Sequence, residues 1–156
     1  MSKEITQLEK RTNIKQDKKL NDKFAHFEKL INELKKKEIP SDIVSSINQN
    51  IEEVNSFSGT NKDFRVQIRK SQNRILKSIN KELKLVPKNF YRFRWMSMGI
   101  SIFGVPLGVI LGSSTGIWGL FGVGLPIGVI IGMAIGAGMD KKAFKEGRQL
   151  DIVAVG

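Results

Sequence analysis

The sequence has no cysteine, one histidine and one tyrosine. Without cysteine there is no disulfide, no thiol chemistry and no palmitoylation site, a pattern that fits a reducing compartment. His26 stands alone between Phe24 and Phe27, with no other ligand type beside it, and reads as a polar residue at the edge of an apolar seam. Phosphate loops are missing too. The segment GVGLPIG (122–128) has the wrong spacing for a dinucleotide loop, and no lysine follows a glycine turn as a P-loop requires. The adjacent carboxylates Glu52 and Glu53 fall on different helix faces and read as solvated. No cluster supports catalysis, so neither enzyme activity nor a cofactor or metal is expected. The opening MSKEITQLEK lacks an apolar core, so no signal peptide is expected, and no Asn-x-Ser/Thr sequon appears.

Charge is the most informative absence. Residues 96–139 contain none, in a chain that is 26% charged. A membrane-spanning helix needs roughly 20 residues, so this stretch is too long for one span and suits two joined by a tight turn. Within it GVPLGVILG (104–112) is echoed by GLPIGVIIG (124–132). Gly104, Gly108, Gly112 and Gly116 form one four-residue series, and Gly124, Gly128, Gly132 and Gly136 form the other. Glycine costs a soluble helix about 1 kcal/mol relative to alanine. In lipid, by contrast, close backbone approach is what associates helices, and small residues every fourth position permit it.

Spans over 96–114 and 121–139 with the turn centred near Trp118 would face Gly104 with Gly132, Gly108 with Gly128, and Gly112 with Gly124. Gly99 and Gly119 lie off the series and are expected to be less constrained. Pro106 and Pro126 fall near mid-depth as packing kinks, each removing one helix hydrogen bond. Tyr91, Phe93 and Trp95 at one interface and Trp118 at the other match the expected aromatic belts.

The glycine arrays, followed by AIGAGMDKKAFKEGR (134–148), resemble the C-terminal half of small bacterial glycine-zipper membrane proteins. There a glycine-rich hairpin is closed by Asp, paired Lys and a Glu-Gly-Arg tail. The resemblance implies bacterial origin and membrane residence, and it assigns no activity. The two prolines and the long N-terminal region lie outside that pattern.

The net charge of +11 is unevenly placed. Residues 1–61 carry 11 Lys/Arg against 10 Asp/Glu, residues 62–95 carry 11 against 2, and the tail 140–156 carries 4 against 3. Arg65, Arg69, Lys70, Arg74, Lys77, Lys81, Lys84, Lys88, Arg92 and Arg94, with Lys141 and Lys142 beyond the second span, are the expected contacts to anionic head groups. Each is worth about 1 kcal/mol near such a surface. A plain solvated face is the alternative. Nucleic acid is disfavoured, because the basic helix lacks stacking aromatics. Positive flanks at both ends of an uncharged turn place both termini in the cytoplasm.

The soluble part reads as helices over about 18–38, 42–57 and 61–85. Leu20, Phe24, Phe27, Ile31 and Leu34 recur at steps of four and three. Ile43 or Val44, Ile47, Ile51 and Val54 repeat the pattern, as do Phe64, Ile68, Ile75, Ile79, Leu83 and Val86. Pro40 ends the first helix, with Ser41 or Asp42 as the next cap. Thr60 or Asn61 caps the third. Residues 1–17, with only Ile5, Leu8 and Ile14 apolar, read as a frayed helix or disorder.

The expected fold is an all-α membrane protein. Residues 1–90 form a cytoplasmic region of amphipathic helices in coiled-coil or three-helix packing, residues 91–139 a two-span hairpin, and residues 140–156 a basic, polar tail. Two functions fit. One is an anchored interaction or scaffolding protein that oligomerises through its hairpin and meets a protein partner through its N-terminal helices. The other is a small oligomeric pore, for which only Ser97 and Ser101 offer a polar face within a span.

Overall fold

A computed structural model describes residues 4–10 and 17–153. Among them lie five helices and two short strands: α1 (Lys18–Lys35), α2 (Ser41–Asn55), α3 (Asn61–Leu83), β1 (Val86–Lys88), α4 (Phe90–Thr115), α5 (Phe121–Lys145) and β2 (Gln149–Val153). The described residues fall into two compact units. One runs through Val86 and takes in Leu150–Ile152; the other covers Pro87–Gln149 with Val153. The fold is mostly helical, but it is not wholly so, because β1 and β2 pair as a two-stranded sheet.

In the first unit each helix boundary has a local cause. Asp17 caps α1 by accepting the Leu20 N–H at 3.1 Å. At α3, Thr60 Oγ1 accepts the Asp63 N–H at 3.3 Å and its hydroxyl donates back to the Asp63 carboxylate at 2.7 Å, satisfying an end that would otherwise be orphaned. For α2 the expected cap at Ser41 or Asp42 is not used. Helix starts at Ser41, and Pro40 holds the cap position with its carbonyl accepting the Val44 N–H. α3 stops at Leu83 because Lys84 turns left-handed at φ 56°. The N–H of Leu85 then reaches back to the Ile79 carbonyl, a closure that frees Val86 to enter β1 instead of continuing the helix.

All five residues of the expected α1 seam are buried, and Leu30 joins them. α3 packs against both α1 and α2, with Phe57 and Phe64 stacked 5.8 Å apart between their centroids. Two further pieces close this core, and neither matches its expectation. Residues 4–10 are non-helical and ordered, with Ile5 and Leu8 buried in the core. Residues 1–3 and 11–16, including Ile14, lie outside the described residues. The segment expected as a polar tail is helix to Lys145 and then strand, whose alternate residues Leu150 and Ile152 are buried in the same core.

The second unit is built from α4 and α5, helices of 26 and 28 residues once the 3-10 turn Trp118–Leu120 that leads into α5 is counted. Each is long and apolar enough to cross a membrane. They pack side by side. Between them Gly116 takes φ +70°, Ile117 is extended, and Leu120 N–H returns to the Ile117 carbonyl at 3.0 Å. Gly116 is a position where only the freedom of glycine makes the turn cheap.

Candidate functional site

The face along which α4 and α5 meet is made of glycine. Gly99, Gly104, Gly108 and Gly112 on α4 and Gly124, Gly128, Gly132 and Gly136 on α5 are all buried. A Cβ added at Gly128 would lie 2.6 Å from the Gly104 nitrogen and from the Gly99 carbonyl oxygen; one at Gly108 would lie 2.6 Å from the Phe121 carbonyl oxygen. Backbone touches backbone, and no side chain fits between.

This contact corrects the expected register. Gly104 meets Gly124 and Gly128 instead of Gly132, Gly108 meets Gly124 and Phe121 instead of Gly128, and a Cβ added at Gly112 would lie 3.2 Å from the Trp118 ring. Gly132 faces Trp95 and Gly99, and Gly136 faces Tyr91 and Arg92. The cause is the turn. It falls at Gly116–Ile117, so Trp118 opens the second helix instead of sitting at the centre of the loop.

Gly99 is a second correction. It belongs to the packed face although it is five residues from Gly104. Residues Ile100–Gly104 form a π turn, in which Val105 N–H bonds the Ile100 carbonyl five residues back. A π turn absorbs one residue more than an α turn, so the five-residue step returns to the same face. Gly119, by contrast, meets nothing within 4 Å of where a Cβ would stand. Pro106, with no N–H to give, follows directly on this shifted ladder, and Pro126 lies inside α5.

At the other end of the hairpin Asp140 does what no spacing rule pointed to. It is 7% exposed, on α5, and its two carboxylate oxygens accept the N–H groups of Tyr91 and Arg92, both at 3.0 Å. Those are amides of the first turn of α4, which its own flanking residue Asn89 does not cap with its side chain. A carboxylate there satisfies orphan donors and suits the positive end of the helix dipole. Beside it Trp95 Nε1–H donates to Met139 Sδ at 2.8 Å, and Tyr91 meets Phe90 edge to face. Trp118 is 67% exposed.

The side of the hairpin away from the glycines is apolar and open. Ile102, Val109, Ile110, Val123, Ile127 and Ile130 all project outward, Ile110 at 58% and Ile130 at 66% exposure. The hydroxyls of Ser97, Ser113, Ser114 and Thr115 turn back to carbonyls of their own helix.

The basic residues sit on their own units as follows. On α3, Lys70, Arg74, Lys77 and Lys81 are exposed at steps of four, three and four, on the side away from buried Phe64, Ile68, Ile75 and Ile79. Arg74 pairs with Glu53 at 2.9 Å and Lys81 with Glu82 at 3.4 Å. Arg65 and Arg69 line a groove between α1 and α3 with Lys19, Lys23 and Lys62. Lys84 turns back to the Lys81 carbonyl, and Lys88, Arg94, Lys141 and Lys142 are exposed, with Arg92 half-buried. Past α5, the hydrogen bond from Arg148 to the Glu146 carboxylate raises the guanidinium above its ordinary pKa, fixing its charge. His26 Nδ1 pairs with Gln72 Nε2 at 2.7 Å, joining α1 to α3 as a polar contact at the seam's edge.

Comparison with protein-family models, curated proteins and solved structures finds no match to this chain.

Proposed function

We propose that this chain is a membrane-anchored helical interaction protein. Its glycine-packed hairpin crosses the bilayer twice, both termini are cytoplasmic, and the first unit carries the surface that meets a partner. The observation that carries this reading is the outward apolar face of α4 and α5, together with a contact face emptied of side chains. Apolar side chains left open on two helices of this length are costly in water and cost nothing in hydrocarbon. The Lys70–Arg74–Lys77–Lys81 stripe and the cations flanking the hairpin suit anionic head groups.

The glycine series is spent on closing the hairpin within one chain. The homo-oligomer therefore forms through the outer faces, where Gly122 and Gly138 stand open. The same fact argues against a pore, since the packed glycine series is not free to line a lumen and the hydroxyls of Ser97, Ser113, Ser114 and Thr115 are taken by carbonyls of their own helix.

Reporter fusions at residue 1 and residue 156, with carbonate-washed membranes, test the anchor and its orientation. Retention in the washed membrane with both reporters cytoplasmic is the expected result. Release by carbonate, or reporters on opposite sides, overturns the two-span reading.

A further inference from the structure

Two asparagines on α2 do something unusual with the chain's own N-terminal segment. Asn48 Oδ1 accepts the Thr6 N–H at 2.8 Å while its Nδ2 donates to the Glu4 carbonyl at 3.0 Å. Asn55 repeats the grip: Oδ1 accepts the Glu9 N–H at 3.0 Å and Nδ2 donates to the Gln7 carbonyl at 3.1 Å. Each amide brackets one residue, Ile5 for the first and Leu8 for the second. Those two side chains are the ones buried, at 7% and 8% exposure.

The repeat has a geometric basis. Asn48 and Asn55 are seven residues apart, two helical turns on one face, which is about 10.5 Å of rise. Three residues of extended chain with threefold periodicity advance about 9 Å and return to the same face, so a segment of that kind running alongside α2 meets both amides in the same phase. Three residues of helix would advance about 4.5 Å and could meet only one. All four hydrogen bonds end on main-chain atoms. The groove therefore reads an extended backbone and an apolar side chain at every third position. It makes no side-chain demand in these bonds on Glu4, Thr6, Gln7 or Glu9.

We propose that this face of α2 is a peptide-docking site for an extended protein segment bearing Ile- or Leu-class residues three apart. Residues 4–9 are its resident occupant, which a partner's segment of that pattern displaces. This deepens the interaction reading above by giving the partner's chemistry, and it rests only on the first unit. The resident segment is tethered, so its effective concentration is high and an untethered peptide competes at a disadvantage. The groove is accordingly held shut until a partner of matching spacing is abundant or itself tethered to the same surface.

The test uses the full chain in mild detergent and a fluorescent peptide of residues 2–10, SKEITQLEK. Substituting Ile5→Asp and Leu8→Asp in the chain empties the groove, and the peptide then binds saturably and at least tenfold more tightly than to the unaltered chain. Adding Asn48→Ala and Asn55→Ala abolishes that binding with the helical circular dichroism unchanged. A peptide with aspartate in place of its isoleucine does not bind. Where the double aspartate chain does not fold, Leu8→Ala carries the same comparison. The proposal is overturned if the folded, arm-weakened chain binds the peptide no better than the unaltered one, or if binding survives loss of both asparagines. Neither result touches the bilayer reading, because the peptide does not engage α4 or α5, and a failed carbonate or reporter test leaves this one standing.

Discussion

The two units bury opposite kinds of residue. In the first, the interior holds Phe24, Phe27, Phe64, Leu20, Leu30 and Leu34, each under 2% exposed, and the outside is charged. In the second, glycine is inside and isoleucine, valine and methionine are outside. Water expels large apolar side chains, so a bundle in water is held by their bulk. Hydrocarbon does not expel them, and what holds two helices there is how closely their backbones approach. The membrane reading proposed above accounts for the difference, because each unit's packing suits one of these two solvents.

The contrast breaks most visibly at the largest buried side chains. Phe27→Ala should destabilise the first unit by about 3–5 kcal/mol in urea titration, whereas Ile110→Ala, a truncation on the open face of α4, should shift folding by less than about 0.5 kcal/mol. Equal effects would remove the distinction between the units.

The reverse substitution tests the other half. Gly128→Leu should cost the hairpin about 1–3 kcal/mol or more through forced separation of the backbones, read by SDS titration in mixed micelles. Gly99→Leu should cost as much and Gly119→Leu very little, since the first would strike Gly128 and Gly132 and the second meets nothing. Helix propensity favours leucine at all three, so helicity and packing move in opposite directions at Gly99 and Gly128. A tolerant Gly99 would mean that the π turn does not bring it onto the contact face.

Smaller effects sharpen the picture at the end of the hairpin opposite its turn. Asp140→Ala should cost about 0.5–2 kcal/mol by orphaning the Tyr91 and Arg92 amides. Asp140→Asn should recover part of that loss and forgo the charge–dipole share, about 0.3–1 kcal/mol. An asparagine no better than alanine would argue against capping.

The smallest effect is pH-linked and belongs to the first unit. Glu33 accepts Lys36 Nζ at 2.6 Å and the Asp151 N–H at 3.2 Å, and the lysine bond holds its pKa below the ordinary carboxylate value. A depressed carboxylate contributes stability that is present above its unfolded pKa and lost as pH falls through its folded one. Hydrogen exchange at the Asp151 amide, corrected for intrinsic rate, should therefore quicken as pH falls below the ordinary glutamate range. Glu33→Gln should flatten that step; a step that persists in the variant assigns it to another group.

Periodicity made much of this legible. The α1 seam from Leu20 to Leu34, the breaks near Pro40 and at Thr60, and two apolar helices of spanning length were all readable, because side-chain spacing and caps are local signals. What was not legible depended on distant partners or on single backbone turns. Ile5 and Leu8 look isolated in sequence, and only Asn48 and Asn55, more than forty residues away, give them an extended course. The glycine register was misread because a hairpin's phase is set by one residue, Gly116, and an apolar run does not say which of its glycines turns. Gly99 looked out of series because a π turn leaves no trace in four-residue counting. Asp140 was visible as a charge, but its ligands are main-chain amides, which carry no residue code.

One further consequence follows from Leu150 and Ile152, which lie in the core of the first unit although α4 and α5 intervene in the chain. Synthesis runs from the N-terminus, so these two residues emerge after everything else that the core contains. The nascent bundle waits with a gap the size of two aliphatic side chains through the entire manufacture of the hairpin. A chain halted or clipped before residue 150 thus carries every described helix and still lacks the last pieces of its first unit, which makes completion of the first unit a record that the second has already been made.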